Sequence, residues 1–120
     1  MNHRRVGRKF GRVKKTRKAM IKTLLGSFFM AEKIKTTEAK AKEIKPLIDR
    51  LINKSKVAAD PAKKVNVIRE LHKYLPEKAI RKITGEMLSK VEGRKSGYTR
   101  IIKLGSRKSD GAKMAVIELV

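Results

Sequence analysis

The first 22 residues, MNHRRVGRKFGRVKKTRKAMIK, hold ten arginines and lysines and no carboxylate, and the first acid of the chain is Glu32. Gly7 and Gly11 interrupt the run, and before Met20 its large apolar side chains are Val6, Phe10 and Val13. So little apolar surface does not offset the entropy of ordering a backbone. Residues 1–15 are therefore expected to form a basic arm that orders against a polyanion, attached to a single domain over residues 16–120. A solvated tail without function is the weaker alternative, because blocks of like charge commonly serve as interaction arms.

The body shares the sign of the arm. Net charge over the 120 residues is +22, with 33 lysines and arginines against 11 acids, so the part beyond the arm is basic as well. A small domain with that much like charge repels itself, and a polyanionic partner relieves the repulsion. Nucleic acid is the leading candidate. The length suits one domain with a modest core. There is no cysteine, which excludes disulfides and thiolate metal sites. No apolar run reaches membrane-spanning length, and the N-terminus lacks the apolar segment of a signal peptide. An intracellular, soluble protein is the simplest expectation.

Periodicity gives the order of elements. Thr16 is placed to cap a helix to about Met30, with Ile21, Leu24, Leu25 and Phe28 on one apolar face. Ile34–Thr36 reads as a short strand. Thr37 caps a second helix through Ala41, Ile44, Leu47, Ile48, Leu51 and Ile52, with a kink at Pro46 or a start near Lys45. Asp60-Pro61 opens a third helix with an apolar face of Val65, Ile68, Leu71, His72 and Leu75. The fourth runs from Glu77 to Val91, mildly weakened by Gly85. Tyr98–Leu104 and Met114–Val120 read as a hairpin around a long basic loop. The expected fold is α+β in two layers, ordered helix, strand, three helices, two strands. Its small three-stranded mixed sheet has the evenly apolar Met114–Val120 in the middle.

Catalysis finds no support. His3 and His72 are the two histidines, the carboxylates are scattered singly, and no phosphate-binding glycine loop or dinucleotide fingerprint is present. No cofactor and no metal site are expected. Standard RNA-binding modules are missing too, and aromatic residues are only 4% of the chain, so recognition should rest on phosphate contacts rather than base stacking. The arm and first helix supply Arg4, Arg5, Arg8, Lys9, Arg12, Lys14, Lys15, Arg17, Lys18 and Lys22, with Phe10 as the one aromatic contact. Two basic loops supply Arg94 and Lys95, and Arg107 and Lys108. Arg100, on the hairpin strand, is a further candidate.

Several motifs, in order, resemble one family. Asn2-His3-Arg4-Arg5, Gly7-Arg8-Lys9-Phe10-Gly11-Arg12 and Arg17-Lys18-Ala19-Met20 are similar to the start of the bacterial large-subunit ribosomal protein numbered seventeen. Ile34-Lys35-Thr36-Thr37 with Ala39-Lys40-Ala41-Lys42-Glu43 resembles its first strand and second helix. Ser96-Gly97-Tyr98-Thr99-Arg100-Ile101, Asp110-Gly111-Ala112-Lys113-Met114-Ala115 and Ile117-Glu118-Leu119 resemble its C-terminal hairpin. The resemblance is weakest over residues 54–92, and Thr16 and Ala31 stand where the family often has histidine. It implies a structural constituent of the large ribosomal subunit, monomeric and one copy per ribosome, bound to large-subunit ribosomal RNA in the cytoplasm. It also implies a neighbour, ribosomal protein number thirty-two of that subunit. The rival readings are a DNA-binding architectural protein, which lacks a groove-reading element, and a membrane-surface protein. The latter would use the face of the first helix that the domain needs for its own core.

Overall fold

The computed structural model describes residues 10–120. Its elements are α1 (Lys14–Ala31), β1 (Lys33–Thr37), α2 (Glu38–Val57), α3 (Pro61–Leu71), α4 (Glu77–Thr84), α5 (Met87–Val91), β2 (Thr99–Ser106) and β3 (Lys113–Leu119). The α+β class holds, with helices on one face of a three-stranded sheet. The sheet order is β1-β3-β2, so the most evenly apolar strand is central as expected.

Both strand pairings are antiparallel, so the sheet is not mixed. The reason lies in β3, which returns from a hairpin and runs opposite to β2 and also to β1. The two outer strands are parallel to one another but never touch. Ile34, Thr36, Ala115, Ile117, Thr99 and Ile101 share the face that packs on the helices. Two main-chain bonds close the domain on itself: Leu119 donates to the Glu32 carbonyl and Val120 to that of Tyr98. The chain's end is thus tied to the end of its first helix.

Four of the remaining expectations shift. α1 starts at Lys14, two residues before Thr16, with extended Val13 at its N-cap and no side-chain cap bond. α2 starts at Glu38, capped by Thr37, and runs unbroken past Pro46 rather than beginning near Lys45. Pro46 is exposed, so the carbonyl that loses its partner meets water, while Ala41, Ile44, Ile48, Leu51 and Ile52 stay buried on the opposite side. The apolar face of α3 is turned: Val67 and Leu71 are buried and Val65 is 59% exposed. With Leu75 just beyond, the i, i+4, i+8 stripe Val67–Leu71–Leu75 buries more than the one through Val65 and His72, and α3 rotates to suit.

The fourth expected helix is two helices. Gly85 breaks it with φ −111° and ψ −109°, where a β-carbon would lie 2.9 Å from the Arg81 carbonyl oxygen. A residue with a side chain does not fit that bend. The break lets Ala79, Ile80 and Ile83 of α4 and Met87 and Val91 of α5 all reach one core with Leu25, Phe28 and Phe29. Helix count between the strands is therefore four rather than three.

Candidate nucleic-acid interface

α1 changes character along its length. Its buried side chains begin at Leu25 and continue with Phe28 and Phe29. Before them, Lys14, Lys15, Lys18 and Lys22 are exposed and Arg17 is half-buried. At about 100° per residue, Lys14, Arg17, Lys18 and Lys22 lie along the same side as Ile21, Leu25 and Phe28. One helix face is thus basic over its first turns and apolar over its last. Of these cations Lys22 reaches the body, its Nζ donating to the His72 carbonyl at the end of α3 (3.4 Å).

The start of α1 is basic and has no side-chain cap. Its first turn holds no acid and its N-cap supplies no side-chain acceptor. Unpartnered amides and the positive end of the helix dipole therefore meet four cations within the first five residues, Lys14, Lys15, Arg17 and Lys18. None of the four makes an ion pair among the described residues, and the Arg17 guanidinium donates only to the Arg12 carbonyl. Phe10 and Gly11 just upstream have positive φ and form a turn, with the Arg12 side chain on the Phe10 carbonyl (2.8 Å). Arg4, Arg5, Arg8 and Lys9 lie outside the described residues.

The basic loop 92–97 carries Arg94 and Lys95 on the surface, again without ion pairs among the described residues. Its backbone is fastened to α2. The Asp49 carboxylate accepts from the amides of Gly97 (3.4 Å) and Tyr98 (3.3 Å). The Lys56 ammonium donates to the Arg94 carbonyl and to the Tyr98 hydroxyl (2.8 Å), and sits 4.7 Å from the centre of the Tyr98 ring. That hydroxyl also lies 2.5 Å from Asn53 Oδ1 and 2.9 Å from the Arg94 carbonyl, and its single proton serves one of them at a time. The Tyr98 ring is buried.

The hairpin loop is organised from within. Arg107 forms a two-point bond with Asp110 (2.9 and 2.5 Å), whose carboxylate also accepts from the Ala112 amide. These contacts, the Arg107 guanidinium first, hold Asp110 down to about 2. Gly111 sits at φ 70° and donates to the Arg107 carbonyl. Lys108 is exposed and unpaired among the described residues. Arg100 is likewise engaged: it pairs with Glu118 across the strands (2.8 Å), which Lys33 approaches to 3.6 Å. The hydrogen bond from Arg100 is the main cause that lowers the Glu118 carboxyl from its ordinary range.

The sixteen candidate residues therefore fall into distinct groups. The described cations of α1 form one face, Arg94 and Lys95 a second cluster, and Arg100 and Arg107 are held by acids of the same chain. Asp49, Asn53, Lys56 and Tyr98 were missed by charge counting. Their signal was a polar stripe at i, i+4 and i+7 on α2 beside its apolar face. Among the described residues, no three His, Asp or Glu gather to hold a metal ion, and no helix is long and apolar enough to cross a membrane.

Sequence comparison places the chain among known proteins. A family model described as Ribosomal protein L17 matches residues 20–120, a span that includes the region of weakest motif resemblance. The chain is 41% identical to the large ribosomal subunit protein bL17 of Rubrobacter xylanophilus, covering 100% of this chain and 96% of the relative. It is 38% identical to that of Petrotoga mobilis (100% and 97%) and 36% identical to that of Sorangium cellulosum (100% and 83%).

Proposed function

The chain belongs to the ribosomal protein L17 family, and we propose that it binds large-subunit ribosomal RNA through phosphate contacts of its N-terminal arm, the first turns of α1 and the loop 92–97. A structural role in the large ribosomal subunit, with ribosomal RNA and ribosomal proteins as partners, follows from the family. It is a family of structural proteins, and the chain is not an enzyme. The division into an arm over residues 1–15 and a domain over 16–120, a single copy per subunit, and ribosomal protein number thirty-two as neighbour are parts of the same proposal.

One observation carries the RNA reading: the side of α1 that packs the core continues, before Leu25, as a basic face without ion pairs among the described residues, ending at a helix N-terminus with no side-chain cap. Among the described residues, no carboxylate neutralises those charges and no side chain caps the helix start. Phosphates do both, accepting from the amides and neutralising the side chains. The aliphatic stems of Lys18 and Lys22 suit this role because they reach along the helix surface while keeping the charge in water.

Removal of residues 1–15 tests the reading. Affinity for deproteinised large-subunit RNA should fall about a hundredfold or more at moderate salt, while the melting midpoint of the remaining domain stays within a few degrees. Unchanged RNA affinity, or a domain that no longer folds, would contradict it. An equal preference for duplex DNA would favour the architectural rival.

A further inference from the structure

We propose that Asp49, Asn53, Lys56 and Tyr98 are positioning residues that preset the loop 92–97 for RNA, with Lys56 acting as a structural cation rather than a phosphate contact. The inference rests on the reading of Arg94 and Lys95 as RNA contacts and goes beyond it, since none of these four side chains is itself offered to the RNA.

The geometry divides the loop into a fastened part and a free part. All the contacts from α2 end on main-chain groups or on Tyr98: the Arg94 carbonyl, the Gly97 amide, the Tyr98 amide and the phenol. The side chains of Arg94 and Lys95 are left in solvent. Gly93 and Gly97 flank the loop at φ 89° and 64°, so its two ends have a defined left-handed bend. A loop fixed in this way loses little further backbone freedom on binding, which is where preorganised contacts gain their affinity.

Lys56 completes the device. Its ammonium has a carbonyl oxygen, a phenol oxygen and an aromatic face as neighbours, and the residue is half-buried. It lies beneath the loop that carries two more cations. Without the Arg94 carbonyl and the Tyr98 oxygen to receive it, the same charge would repel the loop from α2. The clasp turns a repulsive neighbour into the fastening.

The test uses the full chain, deproteinised large-subunit RNA and two substitutions. Tyr98→Phe keeps the buried ring and removes only the hydroxyl. Trypsin should then cut after Arg94 and Lys95 about tenfold faster in the free protein. RNA affinity should fall about fivefold, and the slope of log affinity against log salt should not change, because no charge is lost. The double substitution Arg94→Ala with Lys95→Ala should weaken binding and make that slope shallower by about 1.5. Wild-type affinity of Tyr98→Phe despite a loosened loop, or an unchanged trypsin rate, overturns the positioning role while the RNA contact stands. An unchanged slope in the double variant overturns the contact itself, and the clasp's role with it. Asn53→Ala, at an exposed position with no change of charge, should move the trypsin rate and affinity the same way by less. It decides the matter if Tyr98→Phe does not fold.

Discussion

In the loop 92–97 the backbone is fastened and the cations are loose; in the loop between β2 and β3 a cation is fastened by an acid of its own loop. Arg94 and Lys95 owe their position to side chains of α2, some forty residues earlier in the chain. Arg107 owes its position to Asp110, three residues away. The two loops offer similar positive charge to a sequence reader, yet their charges have different uses. A cation held by a neighbouring carboxylate must give up that bond before it neutralises a phosphate, and at the surface the exchange gains little. A cation on a preset backbone has nothing to give up. The acids decide which of many basic residues remain available.

The largest effect expected from this contrast is on RNA affinity. Arg94→Ala with Lys95→Ala should weaken binding about tenfold, whereas Arg107→Ala with Lys108→Ala should weaken it about threefold or less. Equal losses from the two pairs would erase the distinction. Next comes the hairpin's own turn. Gly111→Val forces a branched side chain to φ 70°, a conformation that costs about 1–2 kcal/mol, and should lower the melting midpoint by several degrees. Lys113→Ala should shift it by far less. Matching midpoints would mean that the loop's return does not depend on Gly111.

The smallest effect is a pH dependence. Asp110 is held down to about 2, so its contribution to the hairpin loop is complete above the ordinary carboxylate range and fades as pH falls from about 4 through 2. Exchange of the Gly111 and Ala112 amides, followed by NMR, should accelerate over that window. Protection lost already at pH 5 would show that the Arg107–Asp110 bond does not organise the loop.

Much of this was legible in the residues. The evenly apolar run Met114–Val120 placed β3 in the middle of the sheet, and Asp60-Pro61 and Thr37 marked helix starts that the structure keeps. What failed to show did so for physical reasons. Thr16 is a better cap than Val13 on local grounds, but the helix starts earlier, and no side chain caps it. Val65 and Val67 both fit a helical stripe, and only packing against α2 chooses between them. Gly85 reads as a mild weakness until the Arg81 carbonyl leaves no room for a side chain. The clasp was the least visible part, because Asp49, Asn53 and Lys56 look like any solvated stripe until Tyr98 is brought against them. Charge counting saw the cations and not their partners.

The basic residues of the arm, α1 and the loop 92–97 are each proposed to neutralise an RNA phosphate. The salt dependence of the full chain's affinity for deproteinised large-subunit RNA measures this directly. The slope of log affinity against log salt should be on the order of −7 or steeper, at about −0.7 to −0.9 per contact. A slope near −2 would mean that most of the +22 charge faces solvent in the complex, and it would contradict the account.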